Sequence, residues 1–303
     1  MLPHKPDEFT LEDCVDGGGG AEAAIARMAL CFPAGFSAAR LAEMVLDIEP
    51  IDSRRGHKLL EIARLLRRRP EMFATLRETG LAVRHERDET ETDAGVVMRL
   101  AAGFDAAAAV SAAASVQLSS LGDEERLSAA TQEIAEWLDR QGFTGADREI
   151  LDIGCGIGRF ESALAKACGR LIGIDISQEM LSIAASRCKG LANVEFRNTS
   201  GLDLAGFADA SFDGVLAVDS FPYLVLAHVA EQHFSETARV LKRPGWLVLL
   251  NYSYRGSHLL DREEVGRLAT QYGMQLIVDG ERPFRHWDGV AFVLTLSATA
   301  HRT

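Results

Sequence analysis

Several absences narrow the kinds of protein that this sequence can encode. No apolar run approaches the length of about 18 residues or more that a membrane-spanning helix needs, and the N-terminal residues lack the basic-then-apolar order of a signal peptide. The five cysteines are scattered and form no CxxC pair, which argues against a disulfide framework and against a zinc site. We therefore predict a soluble cytoplasmic protein with no membrane partner and no bound metal.

The chain is also short of positive charge. It has 32 Lys and Arg residues against 44 Asp and Glu residues, a formal net charge of −12. A protein that binds nucleic acid neutralises phosphates with Lys and Arg, so this balance disfavours a nucleic-acid partner. The sequence favours a small-molecule ligand instead.

Strand patterns are missing from the first part of the chain. Residues 1–20 end in DGGGG and are predicted to be a flexible tail. Residues 21–121 carry apolar residues at three- and four-residue spacing, which indicates helices. Pro70 is expected to break or kink one of them, because proline in a helix interior lacks the N–H donor and clashes with the preceding turn.

From residue 122 to residue 303 short apolar runs alternate with amphipathic segments. Alternating strands and helices predict an α/β fold, a doubly wound and mostly parallel sheet with helices on both faces. The last two predicted strands are joined by a nine-residue loop, 281–289, without a helix, so they should pair antiparallel. The domains are therefore a tail, a helical region and a Rossmann-like domain.

A glycine-rich turn follows the first predicted strand. The stretch LDIGCGIGRF, 151–160, has glycines at 154, 156 and 158 and leads into a predicted helix. A dinucleotide site would have a glycine where Arg159 stands, and the pattern of a phosphate-binding loop is absent. Asp175 ends the next strand, near the distance at which an acid binds ribose hydroxyls. These features predict a nucleoside ligand without a pyrophosphate.

The longer stretch around these glycines, EILDIGCGIGRFESALA, resembles motif I of the class I S-adenosylmethionine-dependent methyltransferases. The segments ASFDGVLAVDSFPYL and RVLKRPGWLVLLNYS are similar to the fourth- and fifth-strand regions of that family. The resemblance covers roughly residues 122–303. It implies a seven-stranded sheet of order 3-2-1-4-5-7-6 with strand 7 antiparallel. It also implies S-adenosyl-L-methionine as the cofactor and S-adenosyl-L-homocysteine as the product.

The resemblance also implies which residues bind the cofactor. Asp152 would orient the loop and the methionyl end of the ligand, Asp175 would bind the ribose, and Ser200 would lie near the adenine. The alternatives are that Asp152 only caps the loop, that Asp175 is a solvated strand end and that Ser200 is a turn residue. The full predicted set is Asp152, Gly154, Cys155, Gly156, Gly158, Asp175, Ile176, Ser200, Gly201 and Val218.

The acceptor of the methyl group should bind near the same edge. In an open α/β sheet, ligands bind outside the carboxyl ends of the parallel strands, which here are followed by three loops rich in aromatic residues. An arginine there could hold a carboxylate. The alternative is that the aromatic side chains only cover the sheet edge. The predicted acceptor-binding residues are Asp219, Phe221, Tyr223, Tyr252, Arg285 and Trp287.

Methyl transfer from a sulfonium depends mainly on positioning the two reacting groups. A general base helps where the acceptor must lose a proton. His286, Tyr254 and His258 are the predicted catalytic residues, although a loop histidine is more often solvated.

The predicted function is methyl transfer to an O or N atom of a small molecule. The alternatives are methylation of a protein or peptide, S-adenosylmethionine binding by a non-catalytic regulator, and a cyclase that uses the sulfonium. The hypothesis for residues 21–121 is a helical cap over the acceptor site that also forms a homodimer.

Overall fold

The computed structural model describes residues 10–33 and 35–298, and a seven-stranded sheet forms its C-terminal part. The strands are β1 Gly145–Ile153, β2 Cys168–Asp175, β3 Val194–Asn198, β4 Phe212–Val218, β5 Leu241–Leu250, β6 Gln275–Glu281 and β7 Ala291–Leu296. Their order is β3-β2-β1-β4-β5-β7-β6. The first five strands pair in parallel, and β7 is antiparallel to β5 and β6. The predicted fold class and strand order are confirmed.

The helices of the described residues divide between two regions. The N-terminal ones are α1 Leu11–Asp16, α2 Ala21–Cys31, α3 Ala38–Leu46, α4 Ser53–Arg68, α5 Pro70–Ala82, α6 Asp93–Val110 and α7 Ala112–Val116, followed by a 3₁₀ turn, Leu118–Ser120. Those around the sheet are α8 Glu124–Arg140, α9 Arg159–Leu164, α10 Gln178–Arg187, α11 Phe221–Leu226, α12 Ala230–Val240 and α13 His258–Gln271. Within this part of the chain, none of them has both the length and the apolar character needed to cross a bilayer.

The central strands are apolar because helices cover both of their faces. Four consecutive residues of β5, 247–250, are fully buried. One face packs against Phe234 of α12 and Val265 of α13, and the other packs against Ile134 of α8 and Phe160 of α9. A parallel sheet buried on both sides shows continuous apolar runs rather than alternation, as seen here.

The N-terminal helices have a core of their own. Ile25, Met28, Leu41 and Ile62 are fully buried in it and come from three helices. As predicted, the helical pattern breaks at Pro70, since α4 ends two residues earlier and α5 begins with the proline. Proline suits a first helical position, where its missing N–H would have no partner within the helix.

The predicted flexible tail is wrong for part of its length. Residues 1–9 lie outside the described residues, but α1 is a capped helix. The Thr10 hydroxyl accepts from the Asp13 backbone N–H at 3.1 Å, and the Asp13 carboxylate accepts from the Thr10 N–H at 2.9 Å. Cys14 and Val15 are fully buried. This capping box starts a helix locally in spite of the four glycines that follow it.

Two hydrogen-bonded contacts attach the helical region to the first turns of the sheet domain. The Asp105 carboxylate on α6 accepts from the Ser177 hydroxyl at 2.6 Å and from the Glu179 backbone N–H at 3.0 Å, and so caps α10. Gln117, next to the 3₁₀ turn, accepts from the buried Arg159 guanidinium at 3.0 Å. Arg159 follows β1, and Ser177 follows β2. The helical region therefore lies over the carboxyl ends of these two strands.

We expect Asp105→Ala to destabilise the whole chain. The substitution removes two hydrogen bonds and leaves the Glu179 backbone N–H of the first turn of α10 without its acceptor, at a cost of about 1–3 kcal/mol in the free energy of unfolding. Urea unfolding checks this value. Glu43→Ala is the control, because Glu43 is an exposed partner of Arg40 and such pairs contribute only about 0.5 kcal/mol. If both variants unfold at the same urea concentration, Asp105 does not join the regions.

Candidate functional site

A cavity of about 410 Å³ lies between the carboxyl ends of the parallel strands and the N-terminal helices. Both regions contribute to its wall. The predicted residues that line it are Gly154, Cys155, Gly156, Asp175, Ile176, Gly201, Val218, Asp219, Tyr223, Tyr254, His258 and Trp287. From the helical region come Ala23, Arg27, Thr79, Gly80, His85 and Phe104, among others. The structure thus brings most of the predicted cofactor residues and part of the predicted acceptor residues to one space.

The glycine-rich turn is tight, and two of its glycines are required for different reasons. Gly154 has a φ of +73°, and a Cβ there would stand 2.4 Å from Cβ of Ser220. No side chain therefore covers the backbone at Gly154, where it lines the cavity. Gly158 has a φ of +70° and precedes α9, where a Cβ would stand 2.9 Å from Cβ of Ala184. Gly158 lies outside the cavity lining and permits close packing between α9 and α10.

Asp175 joins the glycine turn to the end of β2. One carboxylate oxygen accepts from the Gly156 backbone N–H at 2.8 Å, and the other accepts from the Ser177 N–H at 2.8 Å. Burial raises the pKa of this carboxyl group, against these hydrogen bonds. Each oxygen keeps a free lone pair, so the group can still accept from a pair of ribose hydroxyls.

Asp152 lies beneath the turn rather than in the cavity wall. Its carboxyl group is buried beside that of Glu161, and no N–H or O–H of the described residues reaches either group. Burial raises the pKa of Asp152 to about 7 and raises the pKa of Glu161 well above its ordinary value. Burial therefore favours a proton on this pair, and a protonated carboxyl can donate to its neighbour. The pair supports the turn from below.

Three predicted residues lie elsewhere than the sequence suggested. Ser200 is exposed, and its hydroxyl accepts from the Leu202 N–H at 3.3 Å, so it is a turn residue and not an adenine contact. Phe221 and Tyr252 are fully buried in the core, with ring centroids 5.9 Å apart. The two rings pack beneath the sheet edge because α11 begins at Phe221, where the sequence had indicated a loop.

Arg285 and His286 do not belong to the candidate site. Both side chains are exposed, and both backbone N–H groups donate to the Glu133 carboxylate of α8 at 2.9–3.0 Å. The neighbouring Phe284 packs edge-on against Trp137 of the same helix. This packing holds the middle of the 281–289 loop over α8 and away from the cavity.

Asp219 forms a polar cluster with residues of the following strand end. Asp219 has a φ of +57° and Asn251 a φ of +67°, a region that Asp and Asn tolerate better than most residues. The Asn251 amide donates to the Asp219 carboxylate at 2.6 Å, and the Tyr254 hydroxyl donates to the same oxygen at 2.8 Å. The cluster therefore presents an oriented phenol to the cavity.

The geometry changes the roles predicted for Tyr254 and His258. Burial and the Asp219 charge hold the pKa of Tyr254 well above its ordinary value, so the phenol is a donor and not a general base at neutral pH. His258 is exposed at the first position of α13, with Nε2 3.0 Å from the Gly280 carbonyl. That contact requires a proton on Nε2 and leaves Nδ1 as the only basic atom of a rim residue.

His85 is the residue that the sequence interpretation missed. It comes from the loop between α5 and α6, residues 83–92. The imidazole is half-buried, with its ring centroid 5.6 Å from that of Tyr223 and 6.3 Å from that of Tyr254. Its Nδ1 is buried without a hydrogen-bond partner among the described residues. Burial, together with the Arg99 charge, lowers the pKa of His85 to about 4. No pattern in the sequence marks this histidine.

The comparisons with known proteins agree with this arrangement. Residues 151–249 match the family model for a methyltransferase domain. The chain contains a class I S-adenosylmethionine-dependent methyltransferase domain. The family predicted from the sequence is confirmed, and so is S-adenosylmethionine as its cofactor.

Individual relatives match only part of the chain. A demethylmenaquinone methyltransferase of Tropheryma whipplei is 40% identical over 111 residues, 36% of this chain and 44% of that protein. An O-methyltransferase of Aspergillus sclerotiorum is 28% identical over 162 residues, 52% of this chain and 60% of that protein. A solved methyltransferase from Aquifex aeolicus is 21% identical with a TM-score of 0.42, covering 57% of this chain and 92% of that one. The chain spans about half the length of the curated relatives it matches.

We predict that the stability of this protein falls as the pH rises through about 7. The folded-state pKa values of Asp152 and Glu161 lie above their unfolded values, so their contribution is complete in acid and is lost on ionisation. Glu161→Gln should flatten this dependence between about pH 4 and 8, because its amide donates to Asp152 without a charge. Thermal unfolding across that range measures it. The control, Glu136→Gln on the exposed face of α8, should retain the wild-type slope.

Proposed function

We propose that this protein transfers the methyl group of S-adenosylmethionine to an oxygen or nitrogen of a small-molecule acceptor. The observation that carries the proposal is the shared cavity. The glycine turn and Asp175 form one part of its wall, and the cluster of His85, Tyr254 and Asp219 forms another. A cofactor and an acceptor bound to these two parts would meet in one space.

The residues at the cofactor end fit the ligand. S-adenosylmethionine carries no phosphate, and it supplies a methyl group on a sulfonium. The bare backbone at 154–156 admits the methionyl end, and Asp175 accepts from the ribose. Ile176 and Gly201 line the cavity beyond Asp175 and give the adenine an apolar surface.

The acceptor end supports a proton-accepting role for His85. In the transfer, a lone pair of the acceptor atom forms a bond to the methyl carbon while the carbon–sulfur bond breaks. The acceptor proton then becomes strongly acidic and needs a base. A neutral imidazole in an aromatic wall can take it even with a lowered pKa, since a protonated ether or ester is far more acidic than an imidazolium. Tyr254, whose O–H donates to Asp219, orients the acceptor by accepting a hydrogen bond at its phenol oxygen.

Similarity to the relatives supports a small-molecule acceptor. Those named above are a demethylmenaquinone methyltransferase and an O-methyltransferase. The cavity is also within the range of about 300–1,000 Å³ that is usual for small-molecule sites. Because α2, α5 and α6 supply wall residues, we propose that the N-terminal region caps the acceptor. The homodimer through these helices stays a prediction.

We expect Asp175→Ala to weaken the binding of S-adenosylmethionine by roughly 10- to 100-fold. The loss of a buried charged acceptor costs about 1.5–3 kcal/mol. Isothermal titration calorimetry measures the affinity, with NADH as a ligand that should not bind. Asp209→Ala, which alters an exposed side chain at a distant turn, is the matched control. A wild-type protein without affinity for the sulfonium compound would end the proposal.

His85→Gln should reduce the turnover number by at least about 100-fold while leaving the cofactor affinity unchanged. The assay supplies methyl-labelled cofactor and a pool of cell metabolites and separates the products by mass. His286→Gln should behave as the wild type, because that side chain is exposed and does not line the cavity. Label in small molecules supports the proposal. Label in protein favours a protein methyltransferase, and binding without transfer favours a regulator or a cyclase.

A further inference from the structure

The Arg27 guanidinium lies in the cavity wall with most of its donors unused. The residue belongs to α2 and is 7% exposed. Its Nε donates to the Cys14 carbonyl at 3.1 Å. Its Nη2 is buried without a partner among the described residues, and Nη1 is 3.9 Å from the Asp288 carboxylate, beyond hydrogen-bonding distance. A guanidinium has five N–H donors, so four of them have no close acceptor.

The positive charge of Arg27 is also poorly compensated. The acids that line the cavity are Asp175, Asp219, Asp261 and Asp288. Asp175 and Asp219 have the partners described above, and Asp261 accepts from Ser253 at 2.6 Å and from Arg255 at 2.9 Å. Asp288 remains, at 3.9 Å and one-third exposed. A buried charge without a close partner is costly, so a bound anion would stabilise Arg27. The part of the cavity wall around Arg27 and Asp288 is called the corner below.

More positive charge surrounds the same corner. Lys58 is half-buried beside it and donates to the Gly17 carbonyl at 3.1 Å, and the Arg27 charge contributes to a lowered pKa of this lysine. Arg282 lines the cavity and donates to the Asp288 backbone carbonyl. The corner is closely packed, because a Cβ on Gly17 would stand 2.8 Å from Nε of Arg27. The guanidinium is thus held in place before any ligand binds.

The corner lies on the acceptor side of the cavity. Asp288 precedes β7, which is separated from β1 by β4 and β5 in the sheet. With neighbouring strands about 4.8 Å apart, three spacings put roughly 14 Å between the glycine turn and this corner. The cofactor contacts at Asp175 lie one strand further away, at the end of β2. The position therefore suits the far end of an acceptor rather than the cofactor.

We propose that Arg27 binds a carboxylate of the acceptor, so that the substrate is a small organic acid methylated at another atom. A carboxylate is planar and can accept two parallel hydrogen bonds from a guanidinium. The aromatic side chains of Phe104, Tyr223 and Tyr254 line the same cavity and fit an aromatic or unsaturated body. This inference rests on the proposed function, and it names the class of the acceptor.

The test compares 4-hydroxybenzoate with its methyl ester in calorimetry on the full chain saturated with S-adenosylhomocysteine. The wild type should bind the acid at least about tenfold more tightly than the ester. Arg27→Gln should abolish this preference, and Arg27→Lys should retain part of it as a point charge. Arg64→Gln, an exposed arginine on α4, should leave it intact.

Three results would overturn the assignment of Arg27. One is a wild type that does not favour the acid, and another is a preference that persists in Arg27→Gln. The third is a loss of affinity for S-adenosylhomocysteine in Arg27→Gln as large as the loss for the acid. It would show that the guanidinium binds the cofactor and not the acceptor. Urea unfolding of Arg27→Gln separates these results from misfolding, with Arg27→Lys as the second variant. The proposed function fails on other results, namely absent cofactor binding or absent methyl transfer.

Discussion

The hydrogen bonds of the Asp175 carboxylate are the constraint around which this molecule is organised. One oxygen holds the glycine turn through Gly156, and the other holds the start of α10 through Ser177. The Ser177 hydroxyl in turn donates to Asp105 of α6, so the same few atoms attach the helical region to the sheet domain. A ligand that binds to this carboxylate therefore contacts the point where three parts of the chain meet. Burial of the acid makes each of these bonds count, because water does not compete for them.

The buried acids below and beside the glycine turn limit which side chains can stand around it. Asp152 and Glu161 share a site without any cation in hydrogen-bonding contact, and Arg159 is directed instead to Gln117. Burial lowers the pKa of Arg159 to about 10, yet leaves it charged at neutral pH, and the charges of Asp219 and Asp152 oppose that lowering. Arg159, which distinguishes this turn from a dinucleotide site, thus also holds Gln117, in the segment before α8, against the sheet.

The sheet and its cofactor end could be predicted because they depend on local patterns. Apolar runs, the spaced glycines and Asp175 each follow from backbone geometry within about 30 residues, as in other βαβ units. The acceptor end could not, since His85 lies in the loop between α5 and α6 and Arg27 on α2, and both reach the cavity only through long-range packing. The 281–289 loop shows the same limit: contact with Glu133 and Trp137, some 150 residues earlier, directs Arg285 and His286 away. Phe221 and Tyr252 were wrongly predicted to bind the acceptor. The sequence around an aromatic residue near a strand end is the same whether the ring lies in the core or in a pocket.

The division of the cavity between two regions has a consequence for specificity. The sheet domain supplies the turn, Asp175 and the Asp219 cluster, which any acceptor of this methyl donor would require. The helical region supplies His85 and Arg27, and Nδ1 of the first and Nη2 of the second have no hydrogen-bond partner among the described residues. Unmatched buried groups reject ligands that leave them unpaired more strongly than apolar walls reject ligands of the wrong size. In the proposed function, the N-terminal region therefore selects the acceptor, and the hydrogen bond between Ser177 and Asp105 attaches this region to the cofactor-binding end of the sheet.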